Sequence, residues 1–194
     1  MLGSRTIKSL TALLLAMTLG VLILMVMETS PVRPPAVDLA AQARPTDGVG
    51  VVFDTDVRLQ PIKWRHIVVH ATGAEGPGIA ARCHFIVQPT ATADGGVVFA
   101  TPLWRRQTQG HHVFVPGYDY NADSVGICLM GDFARRAPAA EQMDALIALV
   151  QTVQRECGIG SDRVFLHKHL TGSRSPGALF PDDVFSAHLL RPTR

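Results

Sequence analysis

Arg65-His66-Ile67-Val68-Val69-His70 is a short apolar run bounded by Pro61 upstream and Gly73 downstream. Consecutive β-branched residues between turn formers read as a buried strand, and this one carries His70 to its C-terminal end. Working outward, Cys83-His84-Phe85-Ile86-Val87 leads through the turn signal Asp94-Gly95-Gly96 to Val97-Val98-Phe99, the pattern of a hairpin. Ser124 to Gly131 (SVGICLMG) is a further buried strand closed by glycine. After Pro138 the apolar residues Met143, Leu146, Ile147, Val150, Val153 and Cys157 form one stripe at helical period, with Gly158 placed to cap it. Val164-Phe165-Leu166 is a short strand that delivers His167. Strands interleaved with one long helix and loops predict an α/β fold, a single mixed central β-sheet with flanking helices.

The N-terminus sets the expected compartment. Residues 1–9 form a basic tip with Arg5 and Lys8, and Leu10 to Met27 run for eighteen residues without a charge. A helix of that length reaches across a hydrocarbon core of about 30 Å, so residues 10–27 are expected to be a transmembrane signal anchor preceding the domain. The competing reading is a cleaved signal peptide, although Met25-Val26-Met27-Glu28 offers no clear small-residue site. Either way the domain is exported, to the periplasmic or extracytoplasmic side of the membrane. Residues 28–48 are Pro- and Ala-rich and read as an extended linker, with the folded domain at 49–194.

Length and charge narrow the classes further. At 194 residues the chain holds one ordinary domain with something left over. Four of its 18 basic and two of its 16 acidic side chains fall in the first 46 residues, leaving 14 of each in the remainder. That balance leaves no charge excess to grip a polyanion, so no nucleic-acid partner is expected. Three cysteines, Cys83, Cys128 and Cys157, are too few and too scattered for a disulfide framework or a CxxC zinc module.

His70 and His167 each end an apolar run, where sheet folds place ligands because the strand fixes the side chain and the following loop opens a cleft. His66, His84 and His169 stand near them in the sequence, and His111-His112 follow Gly110 in a loop. A histidine at a strand end serves more often as a hydrogen-bonded structural residue than as a metal ligand. Composition and spacing therefore stop at an exported α/β domain with a histidine-lined site.

The order of Trp64 to Thr72, Cys83 to Val87, Trp104 to His112, Asn121 to Phe133 and His167 to Pro181 resembles the zinc-dependent N-acetylmuramoyl-L-alanine amidases. That family includes amidase-type phage lysozymes and peptidoglycan recognition proteins. The resemblance implies a Zn2+ site, with His70 and His167 as metal ligands and Ser175 at the third-ligand position, where the family carries Cys or Asp before Pro-Gly. It implies substrate-binding roles for Thr72 and His112. Ser173 would steady an oxyanion, and Cys83 falls at the position of a catalytic Tyr. Another branch of the family places a Glu where this chain has Cys128. A neutral serine hydroxyl is a poor zinc ligand, so weak or absent zinc is expected. A rearranged site of His70, Cys83 and His167, with His169 as a further substitute, is the alternative. The resemblance accordingly implies peptidoglycan (muropeptide) binding by a degenerate amidase-like domain in the cell envelope. The alternative is an active zinc amidase that hydrolyses the bond between N-acetylmuramic acid and L-alanine. A structural or protein-binding domain that has abandoned the glycan is a third class.

Overall fold

The computed structural model describes residues 17–18, 50–73, 78, 81–89 and 97–192. The chain divides into two units, Met1–Leu39 and Ala40–Arg194. Of the first, Met17 and Thr18 are described, as helix. The expected anchor at 10–27 otherwise lies outside the described residues, as does the linker at 28–48. Among the described residues no helix is long and apolar enough to cross a membrane.

The second unit is built on strands β1 (His66–Ala71), β2 (Phe85–Gln88), β3 (Val97–Ala100), β4 (Ser124–Leu129) and β5 (Val164–Leu166), in the sheet order β3-β2-β4-β1-β5. β4 pairs parallel with both β1 and β2, and β5 pairs parallel with β1. β2 and β3 form the antiparallel hairpin expected from the Asp94-Gly95-Gly96 turn signal. The sheet is therefore mixed, with β1 and β4 at its centre. Two strand limits differ from the sequence reading. Cys83 and His84 precede β2 rather than open it, and β4 ends at Leu129, ahead of Gly131, whose φ is +153°.

The helices are α1 (Pro102–Arg105), α2 (Tyr120–Asp123), α3 (Ala140–Cys157), α4 (His167–Leu170) and α5 (Asp182–Ala187). The long helix is the one that the apolar stripe predicts. Its Met143, Leu146, Leu149, Val150 and Val153 are buried, and Gly158, at φ +66°, donates its N–H to the Gln154 carbonyl. A left-handed residue in that place lets an end carbonyl find a partner, and glycine adopts it at no steric cost. Two buried side-chain amides lock the helix down. Gln142 donates to the carbonyls of Val87 and Met130, and Gln154 donates to Ile159 and Leu190.

Strand periodicity divides the sheet's residues between two faces. Ile67, Val69, Ala71, Phe85, Val87, Val125, Ile127 and Leu129 join α3 in one hydrophobic core, together with Trp64, Trp104 and Phe185. The alternate set, including Val68, His70, Ile86, Ser124, Gly126 and Cys128, faces the other way and is also buried. Burial on both faces explains why β1 and β4 read as continuous apolar runs in the sequence.

Candidate active site

β1 and β4 place the first two participants. His70 pairs in register with Cys128, and two rungs earlier Val68 pairs with Gly126. Over Gly126 lies the His112 ring: a Cβ on that glycine would meet His112 Cδ2 at 2.4 Å. The His112 backbone is held by Asn121, whose side-chain oxygen accepts from the N–H groups of His112 and Val113 at 2.9 and 3.1 Å. Asn121 is structural in this sense, as is Trp104, which is fully buried and donates from Nε1 to the Val52 carbonyl.

Hydrogen-bond accounting then fixes the protons. Ser124 Oγ lies against the Tyr120 carbonyl, which can only accept, so the hydroxyl donates to it. The 3.3 Å contact between Ser124 Oγ and His112 Nε2 must therefore run from Nε2–H to the serine oxygen. A neutral His112 then has a bare Nδ1, which accepts from His70 Nε2–H at 3.2 Å. His70 is left with a lone pair on Nδ1, a buried atom with no hydrogen-bond partner.

Neutrality follows from burial. His70 is fully buried and held well below the usual histidine range, first by desolvation and then by His112 and His167. Desolvation likewise lowers His112 to about 3, with His84 as the next cause. His84, also buried, is lowered to about 4, mainly by desolvation. Its ring is fully satisfied: Nδ1 accepts from the Gly126 N–H and Nε2 donates to the Thr108 carbonyl, each at 2.9 Å. His84, His112, His70 and His167 form a row of rings with successive centroid separations of 5.8, 5.2 and 4.4 Å.

The far side of the site comes from the segment after β5. His167 opens α4, and its Nδ1 lies 2.7 Å from Ser173 Oγ. The Ser175 carbonyl accepts the Lys168 N–H, and Lys168 Nζ pairs with Asp182. Ser175 Oγ accepts a hydrogen bond from the Ala71 N–H at 3.0 Å, which ties this loop to the end of β1. Gly177, at φ +141°, packs against the Phe133 backbone so closely that a Cβ would meet Phe133 C at 2.4 Å.

The structure thus brings His70, His112, His167, Ser173 and Ser175 together. Thr72 is buried and occupied: Oγ1 accepts from the Gly131 N–H at 3.0 Å, clasping the ends of β1 and β4. His112 is buried against His70 rather than set on an open wall. Cys83 is fully buried, and its thiol is raised well above the usual range, first by hydrogen bonding with Cys128 and then by burial. His169 is exposed. His66, expected near His70, sits at the other end of β1, about 13 Å away at the rise of a strand, and pairs with Asp123 at 3.2 Å. The sequence reading missed the role of Ser124. The signal available was the hydroxyl of Asn121-x-x-Ser124, two residues before the glycine on which His112 lies.

The donor set can be tested against zinc. Catalytic zinc takes three protein ligands from imidazole, thiolate and carboxylate. Here His70 Nδ1 has a lone pair without a hydrogen-bond partner and the His167 ring is adjacent, but Ser175, the third ligand that the resemblance implies, is an alcohol that already accepts the Ala71 N–H. Cys83 stays a thiol beside Cys128. Among the described residues no three His, Cys, Asp or Glu side chains converge as a metal site. The residues present do not fit a catalytic zinc.

Comparison with known proteins gives the following. The N-acetylmuramoyl-L-alanine amidase family model, Amidase_2, matches residues 60–178. Over 67 residues the chain is 34% identical to a peptidoglycan recognition protein of Bombyx mori, a stretch that is 34% of this chain and 34% of that one. The match therefore spans about a third of that relative's length. Among solved structures, an endolysin N-acetylmuramoyl-L-alanine amidase from Clostridium intestinale superposes with a TM-score of 0.51 at 22% identity, covering 69% of this chain and 92% of that chain. An N-acetylmuramyl-L-alanine amidase from E. coli, in complex with anhydro-N-acetylmuramic acid-L-Ala-D-gamma-Glu-L-Lys, gives 0.52 at 18% identity, covering 69% and 61%. At these identities the likeness is one of fold.

Proposed function

Because the chain belongs to the N-acetylmuramoyl-L-alanine amidase family, we propose that its second unit binds peptidoglycan at the junction of muramic acid and peptide without cutting it. The observation that carries this reading is Ser175: an un-ionised hydroxyl, accepting the Ala71 N–H, stands where a strong third donor would be needed. Hydrolysis of an amide at neutral pH needs both an activated water and a stabilised oxyanion. Ser173 can donate one hydrogen bond, but its oxygen is shared with His167 Nδ1 and the Ser175 N–H. No buried carboxylate or tyrosine stands beside His70 among the described residues to manage a proton. What remains around His167 is a pair of hydroxyls, Ser173 and Ser175, whose chemistry suits hydrogen bonding to a neutral amide. We place the domain on the extracytoplasmic side of the membrane, tethered through residues 10–27, on the strength of the charge-free run and the basic tip before it.

The second reading is an active zinc amidase, favoured by the free Nδ1 of His70 beside His167. Incubating the full chain, in detergent, with purified sacculi separates the two. Sedimentation with the sacculi and no release of stem peptide, with or without added zinc, is the expected outcome. Peptide release that disappears in His70→Ala would establish the enzyme instead. Failure to sediment would leave a domain that has abandoned the glycan.

A further inference from the structure

At the end of β1 opposite His70, Arg65, His66, Tyr118 and Arg163 line a pocket of about 230 Å³ that the proposed site does not use. The parallel pairing of β1 with β5 sets Ile67 opposite Val164, so His66 and Arg163 enter neighbouring strands side by side. The nearby carboxylates are already engaged. Asp123 takes His66 Nδ1 at 3.2 Å on one oxygen and the Tyr118 hydroxyl at 2.6 Å on the other, and Asp119 accepts from the Asn121 N–H. Asp123 raises the pKa of the Tyr118 hydroxyl, and Arg65 acts more weakly to lower it. Among the described residues neither Arg65 nor Arg163 forms an ion pair with a carboxylate.

The two guanidinium groups stand beside an aromatic cluster. His66 meets Tyr118 and Tyr120 edge-on, with centroids 5.7 and 5.1 Å apart, and Tyr118 and Tyr120 lie 4.5 Å apart. Tyr118 is 43% exposed and also borders an adjoining pocket of about 270 Å³ that contains Phe114, itself 81% exposed. Planar guanidinium forks match a carboxylate, and aromatic faces pack against the apolar C–H face of a sugar ring. The balanced charge of residues 47–194 argues for a ligand with a single anionic group over a polyanion.

We propose that this pocket binds a carboxylate-bearing sugar of peptidoglycan, namely muramic acid whose lactyl carboxylate is free. The inference rests on peptidoglycan being the ligand, and it stands whether or not the His70 site cuts. Hydrolysis of the muramic acid amide adds water across the bond, releases the peptide amine and leaves this carboxylate on the sugar. The class of reaction that supplies the ligand is therefore amide hydrolysis on the glycan strand.

The test is a titration of the full chain, in detergent, with the disaccharide N-acetylglucosaminyl-N-acetylmuramic acid and with di-N-acetylchitobiose, which lacks the lactyl group. We expect the carboxylate sugar to bind at least about tenfold more tightly, as charged hydrogen bonds to guanidinium require. NMR shifts should centre on Tyr118 and Phe165, and the preference should vanish in Arg65→Ala and in Arg163→Ala. Both arginines are exposed, so the variants should keep the wild-type denaturation midpoint. Equal affinity for the two sugars, no saturation by either, shifts centred on His167 and Ser173, or a preference that survives in Arg65→Ala or in Arg163→Ala would overturn the proposal. A chain that sediments with intact sacculi but shows no carboxylate preference keeps the proposed function and loses this pocket. One with the preference that fails to sediment does the reverse.

Discussion

The two faces of β1 obey different rules. On one, Ile67, Val69 and Ala71 pack with α3 into a core that asks only for apolar volume. On the other, His70 ends a chain of partners whose protons must be in the right place, from the Tyr120 carbonyl through Ser124 and His112 to His70 Nε2. The first face is specified by shape alone, the second by the placement of single hydrogen atoms. The packing face tolerates exchange of one hydrocarbon for another, whereas the other face depends on single polar atoms, among them Ser175 Oγ, which accepts the Ala71 N–H at the end of β1.

That contrast can be broken from either side. The largest effect is expected from Leu146→Ala, which empties a fully buried position on α3: about 2–5 kcal/mol in a denaturant titration, with the His70 ring signals unchanged in the folded protein. Acid should act on the other face. His84 has a pKa lowered to about 4, so its neutral form is favoured by folding. Its contribution is complete above the unfolded histidine value of about 6.5 and is lost as pH falls toward 4, by about 1.4 kcal/mol per pH unit. A stability that stays flat across that window would contradict the neutral assignment. Gly126→Ala should cost about 1–3 kcal/mol, because the added carbon meets the His112 ring. It should also move the His70 nitrogen resonances. The smallest effect belongs to Ser124→Ala, about 1 kcal/mol, but it sharpens the comparison most. It frees His112 Nε2 and should let His70 exchange tautomers, a change visible in 15N spectra and reversed in Ser124→Thr.

The same division explains what could be read in the sequence. β1, β4, the β2–β3 hairpin and the long helix were legible because hydrophobic periodicity reports directly on packing. His70 and His167 were legible as strand-end residues, and Ser175 by its place before Pro176-Gly177. The links from Ser124 to His112 and from Ala71 to Ser175 were not. They join residues 12 and 104 positions apart, and nothing in local spacing records which oxygen meets which nitrogen. Cys83 is an intermediate case: a small buried residue near Cys128 of an adjacent strand is what the sequence leads one to expect, and the pairing of β2 with β4 brings the two segments together. The Arg65–Arg163 pocket depends in turn on β5 lying beside β1.

Calorimetric titration of the full chain with zinc, in wild type and in Ser175→Cys, bears most closely on whether a hydroxyl at residue 175 withholds the third donor. Weak binding is expected in the wild type, and an affinity at least about tenfold higher once a thiolate stands beside His70 and His167. One tightly held zinc per wild-type chain, lost on His70→Ala, would contradict that expectation.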